Sequence, residues 1–214
     1  MAITFNGTNI SSVSFNNTDI STVTFNGTTV FTKYVTYTFP NSNVKMSAAS
    51  QYGFYADCDA KNNANQDDFY AFDNNLDTAY VGYVTSTQTA GKLYLTFPYK
   101  VFLQSITVKN RSYATSGDIV GGIRTGTIKC STAGNGTYDI TYATINRGSD
   151  AETRSAATTY TNANYNNTAV KQISVQGTSW GGGASSWHVI GEVSVTFKVL
   201  ASDLAAWKAQ YNIA

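Results

Sequence analysis

Charge is scarce in this sequence. Asp, Glu, Lys and Arg together make up 13% of its 214 residues, and they nearly cancel to a net charge of +1. That share is about half the usual one. No Lys/Arg run occurs, which argues against nucleic acid as a partner. No apolar stretch approaches the ~20 residues of a membrane helix, so no membrane insertion is expected. The opening residues Met1–Asn6 show neither a basic n-region nor an apolar h-region, so no signal peptide is visible. Without an export signal, the Asn-x-Ser/Thr triplets are read as turn chemistry. Two cysteines, Cys58 and Cys130, cannot make a disulfide framework. They are read as two buried free thiols, with a single bridge left open. One histidine, His188, excludes a multi-histidine zinc site, and any Ser-His-Asp site would have to use it. It enters a strand in Trp187-His188-Val189, which suits a strand or loop histidine better than a catalytic one. The carboxylates of Asp57, Asp59, Asp67, Asp68, Asp73 and Asp77 crowd one region. Such crowding suits a hard cation or water better than sugar cleavage. The expectation is a protein that is not an enzyme.

What fills the space is Thr, Asn, Ser, Gly and an aromatic fraction of 14%, mostly Tyr, within an apolar total of 42%. Thr and Tyr suit a half-buried pleated surface, and Asn and Gly suit tight turns. The first residues repeat with a period of ten. Ile3-Thr4-Phe5-Asn6-Gly7-Thr8 is followed by Val13-Ser14-Phe15-Asn16-Asn17-Thr18 and Val23-Thr24-Phe25-Asn26-Gly27-Thr28. Alternation reads as strand, and Asn-Gly tolerates the positive φ of a hairpin turn. Each unit is therefore a strand, a turn and a strand, too small to bury its own apolar side. Either Phe5, Phe15 and Phe25 meet another copy or another protein, or the repeat packs back on its own chain.

From Tyr34 the strands become irregular in spacing. Expected ones are Tyr34–Phe39, Leu93–Phe97, Phe102–Lys109, Gly126–Ser131, Tyr138–Ile145, Val170–Gln176 and Val189–Val199, with long connections at Gly53–Asp68 and Thr178–Ser186. Seven strands in this length suit a sandwich or jelly roll. Ser202–Tyr211 reads as a short helix capped by Ser202, with Leu204, Trp207 and Tyr211 on one face. A helix this short must dock, and Trp207 is its expected anchor. The fold class is all-β: a jelly-roll β-sandwich preceded by a short β-hairpin repeat and followed by one short C-terminal helix. The divisions are 1–33, 34–200 and 201–214.

The stretch Ala71-Phe72-Asp73-Asn74-Asn75-Leu76-Asp77-Thr78-Ala79-Tyr80 resembles the A-F-D-G-N-x-x-T-x-W signature of the discoidin-like family. That family includes coagulation-factor C-type domains and many bacterial carbohydrate-binding modules. Met46–Tyr52, Gly91–Phe97, Phe102–Asn110, Thr127–Tyr138 and Ile190–Val195 resemble further family segments in the family's order. Asn74 stands where the family has Gly, and Tyr80 and Tyr94 where it has Trp. The resemblance implies an eight-stranded jelly roll. It also implies a structural Ca2+ held by the carboxylates of Asp73 and Glu192, by Thr78 and by the main chain of Asn75. A glycan would need a flat aromatic face and a few convergent polar groups. Trp180 beside Gly181–Gly183, the loop tyrosines Tyr52, Tyr55 and Tyr113, and Arg111 and Arg124 are the candidates.

The F-N-G-T units also resemble attachment segments of bacteriophage tail-fibre and baseplate proteins. The leading expectation is therefore a virion structural or adhesion protein of the tail-fibre, baseplate or head-fibre type, assembled in the host cytoplasm. Its residues 1–33 would contact other virion proteins or sister chains. A homo-oligomer follows, with trimer favoured, and the sandwich would bind a host surface glycan or serve as a spacer. The alternative is the carbohydrate-binding module of a secreted glycoside hydrolase.

Overall fold

The computed structural model describes residues 4–5, 8–9, 13–15, 18–20, 22–25, 28–59, 67–83, 92–111, 122–180 and 187–214. The chain divides into one unit of residues 1–37 and 198–214 and a larger one of residues 38–197. The divisions expected at 33/34 and 200/201 thus lie a few residues away, and the terminal helix groups with the N-terminal segment.

In the smaller unit the repeat forms three separate antiparallel hairpins rather than one small sheet. β1 (Thr4–Phe5) pairs with β2 (Thr8–Asn9), β3 (Val13–Phe15) with β4 (Thr18–Ile20), and β5 (Thr22–Phe25) with β6 (Thr28–Thr32). The registers Phe5↔Thr8, Phe15↔Thr18 and Phe25↔Thr28 leave two residues for each connection, as Asn-Gly and Asn-Asn steps favour. Those connecting residues, and the side chains of Phe5, Phe15 and Phe25, lie outside the described residues.

The C-terminal helix α1 spans Ala201–Gln210. Ser202 does not cap it. Leu200 occupies the cap position without a side-chain bond, and the Ala201 amide donates to the Lys33 carbonyl at 3.1 Å. Trp207, expected to anchor a contact, is 3% exposed within its own chain. Its indole lies 5.7 Å from the Tyr37 ring at 80° and 6.4 Å from Tyr211. Trp207 is thus seated on Tyr37 and Tyr211 of its own chain, as a helix anchor would be.

β7 (Tyr34–Phe39) leads into the larger unit. There follow β8 (Ser50–Gln51), β9 (Phe54–Cys58), β10 (Tyr80–Tyr83), β11 (Lys92–Lys109), β12 (Ile123–Ser131), β13 (Ile140–Asn146), β14 (Ala157–Tyr160), β15 (Ala169–Trp180), β16 (Trp187–Ile190) and β17 (Glu192–Leu200). β10 pairs with β16 as a ribbon. The other strands form a sandwich in which β11 belongs to both layers. One layer runs β8-β9-β11-β15-β12-β13, the other β14-β11-β17-β7. Two expected strands, Leu93–Phe97 and Phe102–Lys109, are this one strand. Its pairing to β15 shifts between Thr96 and Val101, where Pro98 donates no ladder bond. Conversely Val189–Val199 is two strands, broken at Gly191. The supposed long connection Gly53–Asp68 contains β9, whose Phe54 and Ala56 are buried while Tyr55 and Asp57 are exposed. Such a five-residue alternation is easily taken for loop among Asp and Asn.

Phenylalanines bridge the layers. Phe39 stacks on Phe54 at 3.8 Å and 6°, Phe54 meets Phe97 edge-on at 6.2 Å, and Phe97 meets Phe197 at 5.5 Å. All four are fully buried. Where β11 ends, a polar clamp takes over. Asn110 donates to the Asp150 and Thr153 carbonyls, both at 2.7 Å, and accepts from Arg147 Nη1 at 2.6 Å. Arg147 also donates to the Ala156 carbonyl at 2.8 Å and to Thr158 Oγ1 at 3.0 Å. Burial lowers the Arg147 pKa, yet its donors are met. Asn110→Ala removes that acceptor and strands two carbonyls, so urea denaturation should show a loss on the order of 3 kcal/mol. A loss under about 1 kcal/mol would mean that water replaces the amide.

Candidate functional site

The strand ends flanking residues 112–121 and 181–186 meet at one end of the sandwich. Ile123 of β12 pairs with Trp180 of β15, and Asn146 of β13 pairs with Thr125. Trp180 does not extend away from this end. A Cβ on Gly177 would overlap its six-membered ring, so the indole lies over the glycine backbone three residues earlier on its own strand. Only glycine permits that approach. Next to it Thr125 Oγ1 bonds Thr178 Oγ1 at 2.9 Å and Ser179 Oγ at 2.6 Å, which fixes the strand end. The half-exposed indole is thus a backed aromatic surface with hydroxyls beside it.

Also at this end is the turn of residues 73–78. Asp73 Oδ1 accepts from the Asn75 amide at 2.9 Å, and Asp73 Oδ2 accepts from Thr78 Oγ1 at 2.6 Å. The Thr78 hydroxyl also reaches the Asn75 carbonyl at 2.8 Å. Asn74 has φ of 57°, a left-handed conformation that Gly and Asn adopt with least strain. That accounts for Asn in the signature's Gly position. Arg111 Nε donates to the Asp77 carbonyl at 3.0 Å, tying the turn to the end of β11.

Glu192 approaches from β17. It is 1% exposed, and neither carboxyl oxygen has a hydrogen-bond partner. Burial, then the Asp73 charge, pushes its pKa up to about 9. Lys109 and the amides of Asn74 and Asn75 favour the anion, though no amide reaches hydrogen-bond geometry. Burial likewise raises Asp73. Gly191 sets this placement, since its amide donates to the Lys109 carbonyl at 3.0 Å. A Cβ there would come within 2.6 Å of the Asn110 carbonyl carbon. Two carboxyls held together, one with orphaned oxygens, beside a main-chain carbonyl and a hydroxyl, are a donor set that fits a hard cation such as Ca2+. Among the described residues no group of three or more His, Cys, Asp or Glu side chains gathers at a metal spacing, so neutral oxygens would have to complete the shell.

The four metal candidates Asp73, Asn75, Thr78 and Glu192 therefore fall together. The six glycan candidates do not. Trp180, Arg111 and Arg124 lie at this end, but Arg111 is engaged with Asp77. Tyr52 sits in the two-residue β8–β9 turn, with φ of 53° at Tyr52 and 76° at Gly53. Tyr55, expected in a loop, lies in β9, paired with Thr96 and 47% exposed. Gln172 shares the row of Thr96, and five residues at ~3.3 Å separate it from Gly177 under the Trp180 ring, so Tyr55 is roughly 16 Å away along the strand and Tyr52 lies beyond it. Tyr113 lies outside the described residues. So does the side chain of His188, whose backbone is in β16. Neither cysteine is in a disulfide: Cys130 is buried, its thiol pushed up to about 12, while Cys58 is half-buried rather than buried. Asn110 and Gly177 were missed, because their roles depend on neighbours remote from any local pattern.

No family model and no curated protein matches this sequence. Solved structures do match it. A CBM32 module of Clostridium perfringens in complex with GalNAc-β-1,3-galactose is 16% identical, with a TM-score of 0.53 over 70% of this chain and 99% of that one. Chitosan-binding module 1 from a chitosanase/glucanase of Paenibacillus sp. IK-5 is 15% identical, with a TM-score of 0.52 over 69% of this chain and 96% of that one. The F5/8 type C domain of a Bacteroides fragilis protein is 15% identical, with a TM-score of 0.52 over 75% and 100%. The fold is discoidin-like. The discoidin-like sandwich matches almost the whole of each of these modules, and it is the fold that these likenesses establish.

Glu192 is the residue at which calcium binding would be tested. In chelator its carboxyl stabilises the fold fully below about 4.5 and loses that contribution as pH rises through about 9. Glu192→Gln should lack this slope and, in chelator near pH 8, melt no lower than the parent. With calcium at 100 times its Kd, the parent should gain about 3 kcal/mol and overtake the variant. Thermal melts of both proteins with and without calcium check this; parallel curves for the two would refute it.

Proposed function

We propose that the discoidin-like unit is a glycan-binding module whose sugar stacks on Trp180, with calcium bracing the adjacent turn. The observation that carries this reading is the indole seated on Gly177. Stacking needs a flat ring that does not collapse when the ligand leaves, and the glycine backbone supplies that support. The neighbouring Thr125, Thr178 and Ser179 hydroxyls supply polar partners for sugar hydroxyls. Asp73 and Glu192 would hold the cation through their carboxylates, Thr78 through hydroxyl and main-chain oxygens, and Asn75 through its main-chain carbonyl. The cation would neutralise the two carboxylates and hold the turn that Arg111 grips.

Galactose- and hexosamine-containing glycans are the first ligands to test, because solved neighbours bind GalNAc-β-1,3-galactose and chitosan. These likenesses favour the carbohydrate-binding module, acting outside the cell, over the virion protein, which draws no support from them. The module binds sugar and leaves bond cleavage to another domain or protein.

Isothermal titration with galactosides, N-acetylgalactosaminides and chito-oligosaccharides checks the reading. Trp180→Ala should weaken the best ligand at least tenfold, which is about 1.4 kcal/mol, with the melting temperature kept. An unchanged affinity would refute the Trp180 surface, and no binding by the parent would refute the glycan reading.

The three hairpins favour a second, separate role for residues 1–33 as an attachment segment, since two-stranded hairpins are marginal alone in water. Deleting residues 1–32 should leave a folded sandwich that no longer self-associates, as light scattering would show. If the parent is itself monomeric, or the truncated chain associates as the parent does, the segment does not serve self-assembly.

A further inference from the structure

We infer that the outer face of the layer β9-β11-β15-β12 is a second saccharide-binding surface, built on Tyr94 and Tyr138 and suited to an extended, neutral chain of β-linked hexopyranoses. Leu93, Leu95 and Phe97 of β11 point into the core, so Lys92, Tyr94 and Thr96 face outward. Their partners on β15 are Gln176, Ser174 and Gln172, with Ser174 buried beneath the face. No aliphatic side chain stands among these six. A protein-binding patch would carry an apolar centre, whereas a sugar needs aromatic faces set among hydrogen-bonding groups.

The tyrosines supply those faces. Tyr138 comes from the β12–β13 connection, and its ring lies 18° from parallel with Tyr94, centres 5.8 Å apart. At that separation near-parallel rings are offset rather than face to face, so neither covers the other. Together they make a floor wider than a single ring, and both are partly exposed.

The floor is also pinned. The Tyr94 hydroxyl donates to Asp59. The Tyr138 hydroxyl donates to Gln172 Oε1 at 3.0 Å, and Gln172 Nε2 donates to Thr96 Oγ1 at 2.9 Å. The Gly136 amide also donates to Gln172 Oε1, at 3.2 Å. Rings fixed before binding give up little rotamer entropy when a ligand arrives. Lys92 lies 3.9 Å from Asp59, which offsets the local charge and favours a neutral ligand.

Length argues for a chain rather than one sugar. The cross-strand row Tyr55–Thr96–Gln172 runs over three strands, about 10 Å at the usual strand spacing. Tyr55 closes the row as one of two large hydrophobic side chains counted as exposed among the described residues. The Trp180 ring, seated over Gly177, lies five residues or roughly 16 Å along β15 from this row, so the two surfaces are separable.

The test titrates the full chain with cellohexaose and β-1,4-mannohexaose, which carry neither galactose nor hexosamine, with the monosaccharides as controls. At least one hexamer should bind. Tyr138→Ala should weaken it at least tenfold, Tyr138→Phe should keep most of the affinity, and Trp180→Ala should change it less than twofold. If Tyr138→Ala lowers the melting temperature, Tyr55→Ala on the same row replaces it, with a threefold or greater loss expected. Failure of both hexamers to bind at millimolar concentration overturns the proposal. So does a loss with Trp180→Ala that equals or exceeds the loss with the tyrosine variant. Neither result depends on whether monosaccharides bind at Trp180.

Discussion

The sandwich depends on one strand being shared. β11 pairs with β9 and β15 along its first half and with β14 near its end, so the two layers are covalently one ladder. A strand held on both edges cannot slip by one residue without turning its buried row outward. That constraint places Tyr94 and Thr96 on the outer face and Leu93, Leu95 and Phe97 in the core. It also delivers Lys109, Asn110 and Arg111 to the loop end, where they meet Gly191, the Arg147 guanidinium and the Asp77 carbonyl.

Two buried ionisable groups at that end are treated in opposite ways. Arg147 is buried, and its donors reach a carbonyl, a hydroxyl and the Asn110 amide oxygen. Its desolvation is offset inside the protein. Glu192 is buried as deeply and has no hydrogen-bonded donor. Left alone, a carboxyl in that position takes a proton. The contrast is why a cation is proposed at Glu192 and none at Arg147, whose donors are met within the chain.

Much of this was legible in sequence because it is written locally. The ten-residue repeat sets the hairpin registers, the tail periodicity sets the helix, and Asp73–Thr78 is a contiguous turn. Tyr34–Phe39 was read to the residue. What escaped was nonlocal. The short β9 alternation is masked by Asp and Asn. Whether Pro98 ends a strand or only interrupts its ladder depends on which strands lie alongside. Tyr55 read as loop became strand, and Tyr138 read as strand lies in a connection. The helix starts one residue earlier than expected: the Lys33 carbonyl, far away in sequence, accepts from the Ala201 amide, and the first turn forms without a Ser cap. Trp180 was singled out by its glycine-rich surroundings, yet the glycine that matters, Gly177, precedes it.

That glycine has a kinetic consequence. A binding surface assembled from mobile loops must be ordered at each encounter, which slows capture. Under the proposed glycan role, the Trp180 ring, already resting on its own backbone, would leave capture to diffusion and residence time to contact strength. A weak contact of this kind opens and recloses quickly, which suits repeated sampling of neighbouring positions on a crowded polymer rather than a single long-lived bond.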